Sequence, residues 1–401
     1  MTPFPEDTTD GVVLVVGSEP AAFSCCLELV EAGLRVRHIY PAPVGLHGSS
    51  RDIGLAYPEL GEPWERLVYA LGEEVALELH DWSLFGIEDL NLRFPEVVHR
   101  GSRLSLTRTE QESKLVSADA LERSKPPVGD QVRLMSGVAV SNYAPIHAAH
   151  LGSFETHAVI FAPVVLLQTI SNSLEENPLY EPVLVDDGWS DLQVCCTESK
   201  VRVTRRGALL SEGDVAVVAA GMSTVGLLER FQKALIAVNG QAFRSQPLKE
   251  RSRSSVVGIT ASWGFERYRF DDERRLLGCG VDPSGGGGGA SATVDDRVMS
   301  VFLKRAAQLF TDFESDDEDS LMRWAVEFDG TCDGLPILGA LTGEPRIQVA
   351  CGFSISAWSR GWEAGRRVAG AVLGREDEKG SRLIKRCSPR RFATGLSGGD
   401  L

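Results

Sequence analysis

Val12-Val-Leu-Val-Val-Gly17-Ser-Glu-Pro-Ala-Ala22-Phe-Ser-Cys-Cys-Leu-Glu-Leu-Val-Glu-Ala-Gly33-Leu-Arg-Val-Arg-His-Ile-Tyr40 reads as a strand, a tight turn, a helix and a second strand. Val12 to Val16 is an uninterrupted aliphatic run, the pattern of a central parallel strand buried on both faces. Gly17 ends it. Beyond the turn, Ala22, Cys25, Cys26, Leu29 and Val30 recur at helical spacing, and Gly33 stands where a C-terminal cap belongs. Arg35 to Tyr40 is then the second strand. A dinucleotide fingerprint needs glycine for the turn, again for close backbone approach to a pyrophosphate, and again for helix–strand contact. Here those positions hold Gly17, Glu19 and Ala22.

Ala22 is an ordinary variant of the third glycine, whereas Glu19 is not one of the second. Its carboxylate would stand where a doubly charged pyrophosphate belongs. Two unit charges about 4 Å apart at an effective dielectric near 20 repel by roughly 4 kcal/mol. The same carboxylate suits the positive helix terminus and would replace the phosphate there. The second strand of such a unit ends in an acidic residue that accepts both ribose hydroxyls, and Tyr40 stands in that place.

Composition narrows the class. The 401 residues suit two interleaved domains or one large one, and 43% apolar with 24% charged residues is ordinary for a globular protein. A net charge of −15 argues against nucleic acid as a partner. No stretch of about 20 apolar residues spans a membrane, and the polar, acidic start lacks a basic signal region. The eight cysteines form no CxxC or His-rich metal spacing. They read as reduced, mostly buried thiols of a cytoplasmic protein.

Three segments interrupt the alternation of strands and helices. Gly285 to Gly289 joins a strand, Arg275 to Val281, to a helix, Asp295 to Phe310. Thr311 to Ser320 is an acidic, solvated turn. Residues 375–401, rich in Lys and Arg and then in Gly and Ser, read as a disordered tail, with a docking role as the alternative. No internal repeat is visible.

Further motifs follow in order. The strand ending Val215-Ala-Val-Val-Ala-Ala220-Gly221-Met-Ser resembles the Ala-Thr-Gly segment that lies beneath the cofactor of flavoproteins with two dinucleotide-binding domains, Ala220 replacing the threonine. Thr331-Cys-Asp-Gly-Leu-Pro-Ile-Leu-Gly339, then Arg346 to Arg360 and a helix to Leu373, is similar to the C-terminal part of the D-amino-acid oxidase and glycine oxidase superfamily of FAD enzymes. Gly45-Leu-His-Gly-Ser49-Ser50-Arg51-Asp52-Ile-Gly54 resembles the Gly-Ala-Ser-Gly-Arg-Asn-x-Gly loop of its gamma-glutamylputrescine oxidase-like branch. The resemblance covers roughly residues 11 to 374.

It implies an α/β fold: a discontinuous Rossmann-like FAD-binding domain from 11–80, 150–228 and 330–374, and an α+β substrate domain on an antiparallel sheet from 81–149 and 229–329. It implies FAD held at Gly17, Ser18, Glu19, Ala22, Tyr40, Ser49, Ser50, Arg51, Trp189, Ala220, Gly221, Gly352, Phe353, Ser354 and Ile355. Trp189 would crowd the adenine, and Ile355 and Ala357 stand where glycines usually face the flavin. His47 is a candidate covalent flavin anchor, with an ordinary loop residue as the alternative. Tyr268 and Arg269 would lie near the flavin face, with Arg269 suited to a substrate carboxylate and Trp324 to a pocket wall. Because side chains alternate, one of Tyr268 and Arg269 points inward, Tyr268 being the choice. Trp358 and Trp362 read as core.

The implied activity is oxidation of the C–N bond of a small amine or amino acid by hydride transfer to flavin. The alternative is a catalytically degenerate subunit that keeps the fold, binds FAD weakly or not at all and acts through a protein partner, in a homo- or hetero-oligomer. A third reading is a flavin-fold enzyme with altered cofactor geometry.

Overall fold

The computed structural model describes residues 11–392 apart from 44–47, 59–60, 127, 129–131, 148, 187, 250–255, 282–292, 315–320 and 376–379. His47, Gly285 to Gly289, the end of the acidic turn and residues 393–401 therefore lie outside the described residues. The chain divides into two compact units. One gathers the chain up to Ser50, Val164–Ala237 and the chain from Phe328 on; the other is Arg51–Pro163 with Val238–Glu327.

In the first unit, β1 (Val12–Val16) lies inside a six-stranded sheet. It pairs in parallel with β2 (Arg35–Pro41) on one side and with Val215–Val218 on the other. Glu344–Cys351 continues the parallel run beyond Val215–Val218, and Ile337–Leu341 closes that edge antiparallel; Tyr180–Val185 closes the other. Val13 to Val16 are fully buried, as a strand covered on both faces requires. Its apolar cluster joins Leu14, Val16 and Ile39 to Val218, Phe231 and Val349, with Trp189 packed against it.

Between β1 and β2 runs α1 (Pro20–Glu31), with Pro20 in its first turn and Gly33 at φ +86 just past its end. The turn into α1 has no room for a side chain at Gly17. A Cβ there would come 1.9 Å from the Ala219 carbonyl oxygen. Gly17→Ala is therefore expected to destabilise the unit by about 3 kcal/mol, the upper range of overpacking losses, read as a lower urea midpoint in fluorescence-monitored unfolding.

The second unit is built on a mostly antiparallel nine-stranded sheet, with one parallel pairing of Gly258–Ala261 with His99–Thr107. Leu104, Ile259, Tyr268, Phe302 and Phe310 are central to its apolar cluster. Arg275–Val281 is a strand as read from the sequence. The helix that follows runs Asp296–Leu309, with the Asp295 carboxylate capping the Arg297 and Val298 amides at 2.9 and 3.2 Å.

Two boundaries differ from the sequence reading. The first piece of the cofactor-type unit ends at Ser50, not residue 80. Residues 51–54 are tied to the second unit by Arg267, Arg269 and Trp324, and Leu151–Ile160 pairs with His99–Thr107 in its sheet. Part of the expected disordered tail is ordered. Gly380–Cys387 is a helix with Leu383 and Cys387 fully buried, and the Arg391 guanidinium donates to Asp333 Oδ2 at 2.7 Å and to the Leu335 carbonyl at 2.6 Å. The tail reading missed two apolar residues spaced at one helical turn.

Candidate functional site: a carboxylate-filled cleft

The carboxyl edge of the parallel sheet carries three turns: Gly17 to Glu19, Gly48 to Ser50, and Ala220 to Gly221. Gly48 and Gly221 both have φ +56, which favours glycine. The Glu19 side chain fills the space among them. A Cβ on Gly48 would come 1.7 Å from Glu19 Oε1, and one on Gly221 3.0 Å from the same atom. Ser49 Oγ donates to Glu19 Oε2 at 2.5 Å and Ser49 N–H to the same oxygen at 3.3 Å. Glu19 and Ser49 are buried, at 7% and 3% exposure.

The side chain makes no capping hydrogen bond to α1. Glu19 has extended backbone, its own carbonyl accepts from the Ala22 and Phe23 amides, and its carboxylate leans away to Ser49. It still lies at the positive end of the helix, which favours its charge. Ser18, Ser50, Ala22 and Ala220 are buried around this mouth.

At the end of β2, Tyr40 is buried with its hydroxyl 3.5 Å from Ser171 Oγ and its ring 4.4 Å from that of His38. His38 was not singled out in the sequence. Its Nε2 lies 2.7 Å from the Gly17 carbonyl oxygen, which only accepts, so Nε2 carries the proton and Nδ1 accepts from the Tyr180 hydroxyl at 2.9 Å. Burial pushes the imidazole down to about 4, against the raising effect of its bond to Gly17. His38 is thus a neutral brace for the turn.

Ahead of the helix Trp362–Val372, the chain turns at Gly352, φ +80, and Ser354, φ +51. This turn makes an amide nest of the kind that binds anions. Its occupant is the Asp329 carboxylate, which accepts from Gly352 N at 2.5 Å and is also held by the Phe353 and Ser354 amides. Burial pushes the Asp329 carboxyl up to about 6, against the lowering pull of those amides. Sequence reasoning missed Asp329, which shares its strand with Glu327 and stands out only once its burial is known. Phe353 and Ala357 are buried, while Ile355 is partly exposed.

The sign of the Asp329 effect is the reverse of the usual carboxylate case. The folded chain holds this proton between about pH 4 and pH 6 and the unfolded chain does not, so stability falls as pH rises through that window. The drop is about 3 kcal/mol for a shift of about two units. Asp329→Asn lacks this titration. The stability of the native chain relative to that variant is expected to fall by about 3 kcal/mol from pH 4 to pH 6 in urea unfolding.

The residues expected near a substrate lie in the second unit. Tyr268 is fully buried, stacked on Phe302 at 5.6 Å and donating to Glu266 Oε2 at 2.8 Å, so its ring and hydroxyl are both used internally. Arg269 lies on the opposite strand face, and both are buried because both faces of this strand are covered, so neither takes the solvent face expected for one of the pair. Arg269 Nε donates to the Ile53 carbonyl, and among the described residues its guanidinium meets no carboxylate. Trp324 is half-buried, its indole N–H donating to the Arg51 carbonyl at 2.7 Å. Asp52 is committed to Arg267 at 2.9 Å. Among the described residues no cluster of three potential metal ligands exists, all eight cysteines are free, and no helix is long and apolar enough to cross a membrane.

The model of a family described as FAD dependent oxidoreductase (DAO) matches residues 13–371. Among solved structures, the fold is similar to that of glycine oxidase from Geobacillus kaustophilus: TM-score 0.73, 18% identity, 92% of this chain and 96% of that one. It is also similar to L-proline dehydrogenase from P. horikoshii, with TM-score 0.74, 13% identity and coverage of 96% and 98%. Iminodiacetate oxidase from Chelativorans sp. BNC1 gives TM-score 0.69, 17% identity and coverage of 91% and 96%. No curated protein matches the chain by sequence.

FAD would need its pyrophosphate at the N-terminus of α1. That space holds the Glu19 carboxylate, which accepts from the Ser49 hydroxyl and amide. Gly17, Gly48 and Gly221 keep the cradle's backbone, but the side chains as arranged do not fit the group.

Proposed function

Because this chain belongs to the FAD-dependent oxidoreductase (DAO) family, we propose that it is a member whose own carboxylate has taken the pyrophosphate's position: a catalytically silent subunit that keeps the scaffold and acts through a protein partner. The observation that carries this reading is Glu19, buried among Gly48, Ser49 and Gly221. Tyr40 supports it, since a buried phenol replaces the carboxylate that would receive the ribose. The test is visible absorption of the purified chain. The proposal expects a colourless protein; a stoichiometric flavin spectrum would overturn it.

Arg269 favours a second reading, oxidation of the C–N bond of a small amine or amino acid. A guanidinium that is nine-tenths buried with no carboxylate partner among the described residues is an unusual expense for a fold. Burial lowers its proton affinity, which Asp271, Asp52 and Asp272 partly offset. A substrate carboxylate would complete it by a bidentate pair. On this reading Glu19 leaves the cleft when cofactor enters, and Arg269→Leu in a flavin-loaded chain raises KM for amino acids by about a hundredfold while KM for amines that lack a carboxylate stays unchanged.

A further inference from the structure

The helix Glu73–Arg93 is buried along one stripe, where Val75, Leu79, Trp82, Ile87 and Leu90 are covered. Its opposite side carries two lines of side chains, each repeating every seven residues. Glu78, Phe85 and Leu92 form one line, and Glu74, Asp81 and Glu88 form the other; Glu78 is half-buried and the remaining five are exposed. Residues seven apart lie within about 20° of each other around a helix, and residues three or four apart are neighbours, so the two lines run side by side. Leu92 is 79% exposed and Phe85 46%. A single exposed apolar side chain needs no explanation. Two of them one heptad apart, beside a line of carboxylates in the same register, form one half of a helix–helix seam.

Charge decides what can cover this seam. The helix holds six acidic residues and one arginine, Arg93, which is already engaged by Asp89 at 3.0 Å. Glu73 and Glu74 suit the positive end of the helix, but Glu78, Asp81 and Glu88 lie beyond its first turn. Arg100 stands 4.0 Å from Glu88, at the limit of an ion pair. A second copy of this chain would set one acidic line against another, and like charges across a helix seam disfavour pairing. Nucleic acid and anionic lipid are repelled for the same reason. We propose that this seam is where the chain's protein partner docks, and that the partner offers a basic amphipathic helix, with Lys or Arg facing Glu74, Asp81 and Glu88 and aliphatic side chains facing Phe85 and Leu92. The proposal rests on the reading of this chain as a subunit that acts through a partner, and adds the surface and its chemistry. From Glu74 to Leu92 the seam is about 27 Å long, which matches about five turns of a partner helix.

The test titrates the full chain into a fluorescein-labelled helical peptide of about three heptads, with Lys and Leu at the facing positions, and reads fluorescence anisotropy. Binding is expected, and a peptide of the same composition with those positions shuffled out of register should bind at least about tenfold more weakly. Phe85→Ala with Leu92→Ala leaves every charge in place and should weaken binding about tenfold or more. Asp81→Asn with Glu88→Gln should weaken it about tenfold at low salt and remove most of its salt dependence. All four side chains are exposed, so these variants keep the fold. Leu209→Ala, at an exposed leucine of the other unit, should change nothing.

No binding of the registered peptide, or equal binding by the shuffled peptide or by the Phe85→Ala, Leu92→Ala variant, would overturn the seam and leave the reading of Glu19 standing. Self-association of the native chain in sedimentation, abolished by that same double variant, would mean that a second copy covers the seam and would also overturn the proposal. A stoichiometric flavin spectrum of the native chain would overturn the subunit reading on which the proposal rests, and that result is independent of the peptide titration.

Discussion

Glu19→Gly is expected to take up FAD where the unmodified chain does not, with an affinity gain of two to three orders of magnitude. Two unit charges about 4 Å apart at an effective dielectric near 20 repel by roughly 4 kcal/mol, and about 1.4 kcal/mol is a factor of ten in affinity. Glycine removes that repulsion, vacates the space between Gly48 and Gly221 and lets backbone approach a phosphate. The loss at the start of α1 is small, since the Glu19 side chain does not cap the helix and glycine is tolerated there. Glu19→Gln separates charge from volume: it removes the repulsion but keeps the filling side chain, so its gain should be about tenfold. Flavin fluorescence quenching on titration reads both. If Glu19→Gly gains nothing, the carboxylate is not the obstacle.

The second large effect is one of stability. Asp52 and Arg267 are 1% and 0% exposed at the side chain, and their 2.9 Å bond crosses from the loop after Ser50 to the strand Glu266–Phe270. The other Asp52 oxygen accepts from the Ile53 amide at 2.7 Å. Removing one partner of such a pair leaves a buried charge uncompensated, a loss of about 3 to 5 kcal/mol. Asp52→Ala is therefore expected to lower unfolding free energy by about 4 kcal/mol in urea titrations. Asp52→Leu combined with Arg267→Met should recover most of it, because a well-packed apolar pair avoids desolvating either ion. A loss below about 1 kcal/mol in the single variant, within the range of exposed pairs, would mean that the pair is not desolvated in solution.

The pattern of local elements was legible in the sequence wherever one physical signal dominated. The aliphatic run Val12 to Val16 could only be a strand covered on both faces, and Gly17 marked its end. The β2 reading stopped one residue short of Pro41, and Arg275 to Val281 was read in full. The departure at Glu19 was also visible as a residue type. Its destination was not, because that depends on Ser49, thirty residues on. The domain division slipped because residues 51–54 carry a cofactor-loop pattern while their bonds go to Arg267, Arg269 and Trp324. Tyr268 misled for a related reason. Alternation along a strand assigns opposite faces, but does not say that both faces are buried.

Asp329 and His38 carry the same lesson from the other direction. Each is a buried polar residue near the end of a strand, and each proves to hold a turn: His38 the Gly17 turn, Asp329 the Gly352 turn. Burial moves their protonation in opposite stability senses. A histidine pushed down to about 4 favours the fold as pH rises toward neutrality, while a carboxyl pushed up to about 6 disfavours it over part of the same range. Their effects oppose one another between about pH 4 and pH 6.

The central question is whether the protein's own acidic side chain has displaced the family's cofactor. Equilibrium dialysis of the unmodified chain against FAD at neutral pH measures this directly. No retained flavin at concentrations that saturate Glu19→Gly is the predicted result; tight, stoichiometric retention by the unmodified chain would contradict it.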